Sequence, residues 1–203
     1  STGCIDAVHI DQRLMRVIAG SGGRRDIPAR DVKSRSLHDH CFPPIARRDA
    51  QVLILGSLPG RRSLELQQYY AHPQNAFWKI IGAIFAVEAT LPYARREKVL
   101  TANRIALWDV LAAARRPGSL DSSIERASAL ANDFDAFYRA HPRVRRVFFN
   151  GRKAEEMYRL FVLPELGPEH ADITYECLPS TSPAHAGMPF ARKLAKWRSI
   201  RND

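Results

Sequence analysis

Residues 53–78 read LILGSLPGRRSLELQQYYAHPQNAFW, and this stretch decides how the chain folds. An apolar run ends at Gly56 in a turn that contains Pro59 and Gly60, a residue pair typical of tight turns. Two arginines, two tyrosines and a His-Pro follow, and an apolar helical pattern begins near Phe77. The stretch therefore predicts a buried strand, a polar loop and a helix.

Three more apolar runs share these features, since each is short and bounded by turn residues. The four predicted strands are 51–56, 104–111, 143–151 and 173–180. Helical patterns are found at 75–86, 121–140, 152–162 and 189–202. Alternating strands and helices predict an α/β fold with a parallel sheet that helices cover on both faces. We expect all four strands to be buried on both faces.

Polar residues follow the predicted strand ends. The turn 56–60 follows the first strand, Asp109 and 115–118 follow the second, 150–153 follows the third, and 180–187 follows the fourth. In parallel α/β sheets the ligand crevice lies beyond the carboxyl ends of the strands. The sequence therefore predicts a site there for a polar, partly anionic ligand.

The charge balance points to a polyanionic partner. The chain of 203 residues has 31 Lys+Arg against 21 Asp+Glu, a net charge of +10, which favours nucleic acid. No apolar stretch reaches the ~18 residues of a membrane span, and no secretory leader is visible. We therefore expect a protein with no membrane partner.

The cysteines predict no metal site. Cys4, Cys41 and Cys177 are far apart and form no zinc-ligand pattern, and an iron–sulfur cluster normally needs four thiolates. Reduced thiols indicate a cytosolic protein. Residues 1–38 contain GSGGRRD and one short apolar patch, so we expect a basic, flexible extension there and a compact domain over 39–203.

Several candidate site residues have two interpretations. Asn75 precedes an apolar helix, where Asn is a favoured N-cap, and the same side chain can instead serve the site. Asn150 is either a turn residue before Gly151 or a reader of a heterocycle edge. Ser182 and His185 suggest a nucleophile and base, but no GxSxG elbow and no acid partner accompany them.

Taken together, these residues resemble the uracil-DNA glycosylase superfamily, nearest its hypoxanthine-DNA glycosylase branch (family 6 type). The resemblance covers roughly residues 41–200, and its motifs are GSLPGRRSLELQQYYAHPQNAFW (56–78), VFFNG (147–151) and LPSTSPAHA (178–186). It implies a three-layer α/β/α sandwich with a central four-stranded parallel sheet. It also implies a monofunctional glycosylase that removes uracil, and also hypoxanthine or xanthine, from DNA without a cofactor or metal.

The resemblance also assigns roles to residues. Asn75 is implied as the catalytic residue that holds a water, Tyr70 as the aromatic that stacks on the extruded base, and Asn150 as the reader of its edge. The remaining base-binding candidates are Gly56, Ser57, Leu58 and Tyr69. The DNA-binding candidates are Arg61, Arg62, Ser182, Ala184, His185 and Arg192. We expect a monomer that acts on DNA containing uracil or other deaminated bases.

Two departures leave a second function open. Leu58 stands where mismatch-type uracil glycosylases carry a water-activating Asn, and Ser180-Thr181 replaces the His-Pro of the common uracil enzymes. A nucleic-acid-binding module that kept the crevice and lost the chemistry would show both changes. A hydrolase or nucleotide-binding α/β enzyme is the third interpretation.

Overall fold

The computed structural model describes residues 39–118 and 120–201. The extension predicted over 1–38 lies outside these residues, so it and the domain boundary at residue 39 stay predictions. In chain order, the elements are β1 (Asp39–His40), β2 (Val52–Gly56), α1 (Arg61–Leu66), α2 (Phe77–Phe85), α3 (Tyr93–Ala102), β3 (Ile105–Asp109), β4 (Leu111–Ala114), β5 (Leu130–Ala131), α4 (Phe134–Ala140), β6 (Arg146–Asn150), α5 (Arg152–Phe161), β7 (Thr174–Leu178) and α6 (Phe190–Trp197). None of the helices in this described part of the chain is long and apolar enough to span a membrane.

The main sheet has four parallel strands in the order β3-β2-β6-β7. Its register pairs Gly56 with Asp109 and Asn150 with Leu178, so the carboxyl ends of the strands meet at one edge. Helices pack on this sheet to give the three-layer α/β/α sandwich. The predicted fold class is confirmed.

The centre of the sheet forms the hydrophobic core. All five residues of β2 and all five of β3 are buried, because both strands are apolar and lie under helices. β7 is different, since it is an edge strand in which only Leu178 is buried and Glu176 and Cys177 are exposed. The prediction that all four strands are buried on both faces is wrong for this strand.

The apolar run 104–111 is divided between two sheets. β3 ends at Asp109, and β4 begins at Leu111 in a small antiparallel sheet of order β1-β4-β5. The amides of Val110 and Leu111 donate to the carbonyl oxygens of Gly56 and Ser57, at 2.9 and 3.1 Å. These bonds draw the chain across the end of β2 and place the second sheet beside the strand-end edge.

Three of the four predicted helices are confirmed with shorter bounds, as α2, α5 and α6. The prediction of one helix over 121–140 is wrong in its first half. Two 3-10 turns, Asp121–Ser123 and Arg126–Ser128, and the strand β5 precede α4 there. The Asp133 side chain then accepts a hydrogen bond from the Ala136 amide and starts α4.

Candidate active site

A cavity of about 530 Å³ opens at the edge where the parallel strands end. The turn after β2, the loop after α1, the ends of β3 and β6, and the connection after β7 all contribute to its wall. Every predicted site residue lines this cavity except His185 and Arg192. The chain thus brings residues from separate loops to one place, as the strand-end rule predicts.

Polar contacts fix the turn after β2. The Ser57 hydroxyl donates to Asp121 Oδ2 at 2.7 Å. The Arg116 guanidinium is buried beneath the turn, where it donates to Asp39 Oδ2 at 2.7 Å and to the Pro59 carbonyl oxygen. These bonds hold the turn in place, and the Ser57 hydroxyl proton is engaged in one of them.

The two tyrosines that follow α1 have different structural roles. Tyr69 is buried, and its hydroxyl lies 3.2 Å from the Phe42 carbonyl oxygen, so this ring mainly anchors the core. Tyr70 stacks on Phe77 with ring centroids 4.1 Å apart. Its backbone has a φ of 53°, a left-handed conformation that is uncommon for a bulky residue and that is often found at functional sites. Tyr70 is thus a rigidly backed aromatic in the cavity wall.

Asn75 lies in the loop before α2 and is half-buried in the cavity wall. Its Oδ1 accepts a hydrogen bond at 2.9 Å from the amide of Phe77, the first residue of α2, so the side chain satisfies one of the free amides at the start of the helix, as a cap does. The neighbouring Ala76 amide donates to the Thr181 carbonyl oxygen at 3.0 Å. Because an amide oxygen has two lone pairs, capping leaves one lone pair and the NH₂ group for a ligand.

Asn150, at the end of β6, is held by Thr181. Its Oδ1 accepts from the Thr181 amide and its Nδ2 donates to Thr181 Oγ1, both at 2.8 Å. Thr181 is 1% exposed and was not among the predicted site residues. The pair of bonds fixes which way the Asn150 carboxamide points, and leaves it one N–H and one oxygen lone pair.

Asp109 was predicted to follow the second strand at the site's edge, but no role in the site was assigned to it. It ends β3, lines the cavity and is 3% exposed. Burial raises the pKa of its carboxyl to about 8, and the nearby Asp121 carboxylate adds to the rise, while Arg116 opposes it. The Asp109 carboxyl is therefore mostly protonated at pH 7. An acid directly after an apolar strand run was the sequence signal for it.

The rim of the cavity is basic on one side. Arg61 and Arg62 begin α1 and are exposed, and Arg62 forms an ion pair with Glu65 at 2.9 Å. In the connection after β7, Ser182 caps a 3-10 turn over Pro183–His185 that carries Ala184, and Ser182, Pro183 and Ala184 also line the cavity.

Two predicted DNA-binding residues, His185 and Arg192, do not line the cavity, and both follow the cavity residue Ala184 in the sequence. His185 ends this turn, and its carbonyl oxygen accepts from Lys193 Nζ at 2.8 Å. Arg192 is exposed on α6.

A group of candidate metal ligands lies outside the cavity wall. In the described ranges, the groups close enough to share a metal ion are those of Asp135, Glu169 and His170. Asp135 forms an ion pair with Arg139, and its Oδ1 lies 3.1 Å from His170 Nε2. None of the three ligand candidates lines the cavity. They form an ion-pair cluster between α4 and the 3-10 turn Pro168–His170. The prediction of a metal-free site stays a prediction.

Fold and cavity together define an α/β domain with a strand-end site for a planar, polar ligand. Comparison with known proteins agrees with this class. The family model described as the Uracil DNA glycosylase superfamily matches residues 43–202. The chain therefore belongs to the uracil DNA glycosylase superfamily, and it is an enzyme of the DNA glycosylase class, which hydrolyses N-glycosidic bonds.

Individual relatives are similar over most of the chain. A protein of Methanosarcina acetivorans named hypoxanthine DNA glycosylase is 38% identical over 160 residues, which cover 78% of this chain and 95% of the relative. A protein of the same name from Methanosarcina barkeri is 39% identical over 116 residues, which cover 57% of this chain and 72% of the relative. The solution NMR structure of a candidate uracil DNA glycosylase from Methanosarcina acetivorans superposes with a TM-score of 0.67 at 34% identity, covering 80% of this chain and 96% of that one.

Proposed function

We propose that this protein is a monofunctional DNA glycosylase that extrudes a deaminated base into the cavity and excises it, leaving an abasic site for base excision repair. Hypoxanthine is the foremost substrate, because two similar proteins carry that name. Uracil and xanthine are proposed as further substrates. In the described residues no lysine lines the cavity, which supports attack by water rather than by an amine nucleophile.

The observation that carries the proposal is the joint placement of Tyr70, Asn75 and Asn150 around one cavity. Extruding a base from the stack costs a few kcal/mol. Stacking on an aromatic side chain restores about 1–3 kcal/mol per base. Tyr70 suits this role because Phe77 already supports its ring from one side.

Cleavage of the N-glycosidic bond leaves positive charge on the sugar and negative charge on the departing base. The task of the protein is then electrostatic placement, in which backbone N–H groups of the 56–60 turn stabilise the departing base. Asn75 holds the attacking water through the oxygen lone pair that the helix cap does not use. Leu58, buried at the cavity wall, contributes apolar surface that excludes other water.

The DNA strand is held at the rim. Arg61 and Arg62 reach phosphates from one side, and residues 182–185 approach the gap left by the extruded base from the other. Arg192 on α6 extends the basic surface beyond the cavity. We propose that the protein acts as a monomer on cytosolic or nucleoid DNA.

The proposal is tested by an abasic-site assay. The wild-type protein is incubated with single- and double-stranded oligonucleotides that contain one hypoxanthine, uracil or xanthine, and alkali-labile sites are counted on gels. Cleavage at hypoxanthine is expected. Tight binding to these oligonucleotides with no abasic sites would instead support the non-catalytic module that Leu58 and Ser180-Thr181 suggest.

The role of Asn75 is tested with Asn75→Ala. We expect the single-turnover excision rate to fall at least a hundredfold while binding to the DNA is kept. The substitution also removes a helix cap, which costs about 1 kcal/mol. Asp133→Ala is the matched control, because it removes the cap of α4 outside the cavity. Equal excision rates in the two variants would show that Asn75 acts only as a cap.

A further inference from the structure

A further base-binding residue can be assigned on the basis of the proposed function, in which a deaminated base enters the cavity. The lactam edge of a deaminated base offers one carbonyl acceptor beside one N–H donor. The predicted reader of that edge is Asn150, but the oxygen and nitrogen of its carboxamide both already bond to Thr181. Thr181 therefore occupies the side of the amide that could pair with a lactam through two bonds at once. Another group with a donor beside an acceptor is needed.

Asp109 lies where such a group is needed. Its carboxyl is part of the cavity wall, at the end of the strand next to β2. Within the described part of the chain its one side-chain hydrogen bond is weak, from Cys41 Sγ to Oδ2 at 3.9 Å. No cation lies within ion-pair distance of it in those residues. Asp109 is therefore a buried carboxyl with bonding capacity left over for a ligand.

The surroundings of Gly56 show that this carboxyl is built into the site. A Cβ at Gly56 would collide with Asp109 Oδ1 and would lie 3.0 Å from the Tyr70 hydroxyl oxygen. The Tyr70 hydroxyl is buried and, among the described residues, makes no hydrogen bond of ordinary geometry, although the Asn150 side chain is near enough to favour its ionised form. The absence of a side chain at position 56 thus leaves room for two polar groups at the carboxyl end of β2, both with unused bonding capacity.

We propose that Asp109 binds the extruded base as a neutral carboxylic acid, donating its O–H to the lactam carbonyl and accepting the lactam N–H. A neutral carboxyl offers a donor beside an acceptor, whereas a carboxylate offers acceptors alone and repels the base carbonyl. Ionisation of Asp109 therefore weakens binding of the deaminated base.

Among Asp109 and the thiol and phenol groups around it, the Asp109 carboxyl is the first to lose its proton as pH rises. Burial raises the pKa of Cys41 to about 12, and burial likewise raises the pKa of Tyr69 and of Tyr70 well above the usual tyrosine range. Asp121 and Arg116 act on Asp109 with opposite signs. The carboxyl itself has a pKa of about 8, so it ionises within an accessible range.

The test compares pH profiles of single-turnover excision from duplexes with one hypoxanthine or one uracil, between pH 6 and 10. The wild-type rate should fall about tenfold per pH unit above pH 8, as the neutral fraction does. Asp109→Asn, which keeps a neutral donor and acceptor in the same shape, should stay within about tenfold of wild type at pH 7 and lose this fall. Asp109→Ala should lose more than tenfold at pH 7.

Ionisation of the base itself is common to all variants, so the difference between profiles isolates Asp109. Asp172→Asn, an exposed aspartate outside the cavity, should keep the wild-type profile. Parallel profiles for wild type and Asp109→Asn, or full activity of Asp109→Ala, would overturn the inference while the proposed function stands. No excision by the wild type at any pH would overturn the proposed function.

A second measurement does not depend on the variants folding. The Asp109 carboxyl of the wild-type protein can be titrated by ¹³C NMR. A midpoint near pH 8 supports the neutral acid, and an ordinary carboxyl midpoint near pH ~4 contradicts it.

Discussion

Burial of Asp109 also makes the stability of the fold depend on pH. An unfolded chain ionises this carboxyl near pH ~3.9, whereas the folded protein keeps it protonated up to about pH 8. Between these values the folded state binds one more proton than the unfolded state. This single group therefore lowers the free energy of unfolding by about 1.4 kcal/mol per pH unit across that window, and contributes no slope below or above it.

Asp109→Asn should remove this slope. We expect the variant to gain stability relative to wild type as pH rises, by about 3 kcal/mol between pH 5 and 7.5, since the amide cannot ionise. Urea unfolding at several pH values measures the difference. Loss of the Cys41 contact gives only a constant offset, and Asp172→Asn should follow the wild type. Parallel curves for Asp109→Asn and wild type would contradict the buried neutral acid.

At the scale of elements, the packing at the end of β2 requires glycine at position 56. In Gly56→Ala the new Cβ would collide with Asp109 Oδ1, and β2 lies between β3 and β6 and has little room to move. Overpacking of this kind costs about 1–3 kcal/mol. Displacement of the carboxyl should also reduce excision.

Gly60→Ala is the matched control for that prediction. A Cβ at Gly60 meets nothing within 4 Å, and its φ of −70° suits any residue. The control should cost less than about 1 kcal/mol, which is the scale of an N-cap preference. Urea denaturation midpoints compare the two variants, and equal midpoints would show that the end of β2 tolerates a side chain.

The elements that were predicted correctly are those whose burial shows in the sequence. β2, β3 and β6 are apolar runs, and α2 repeats apolar residues on one face. The helices α1 and α3 escaped prediction because each buries a single residue, Ser63 and Leu100 respectively, and so has no apolar period.

The prediction of a helix over 121–140 fails in its first half because of tertiary contacts. Asp121 accepts a hydrogen bond from Ser57, which is far away in the chain, and the Glu125 amide donates to the Arg115 carbonyl oxygen at 2.9 Å. Partners outside the segment therefore fix it in a shape that is not α-helical.

For the whole molecule, the cavity could be predicted because parallel strands end together, which placed Tyr70, Asn75 and Asn150 at one edge. Two further properties could not be predicted, because they depend on neighbours distant in sequence. Asp109 is neutral through burial and Asp121, and Asn150 is held by Thr181, 31 positions later. Residue type and strand position thus locate the site, whereas protonation and orientation require the fold.

Binding of DNA by the whole molecule should be dominated by its net charge of +10, so its affinity should fall with salt. Arg61 is exposed at the cavity rim, and Arg61→Ala should weaken binding of every DNA sequence and reduce the slope of log K against log salt by about 0.9, the value of one lost phosphate contact. Arg143→Ala is the control, because Arg143 is exposed and precedes the amino end of β6, whereas the cavity lies at the carboxyl ends of the strands. Fluorescence anisotropy at several salt concentrations measures both slopes. If both variants reduce the slope of log K against log salt equally, the DNA phosphates do not bind preferentially at the cavity rim.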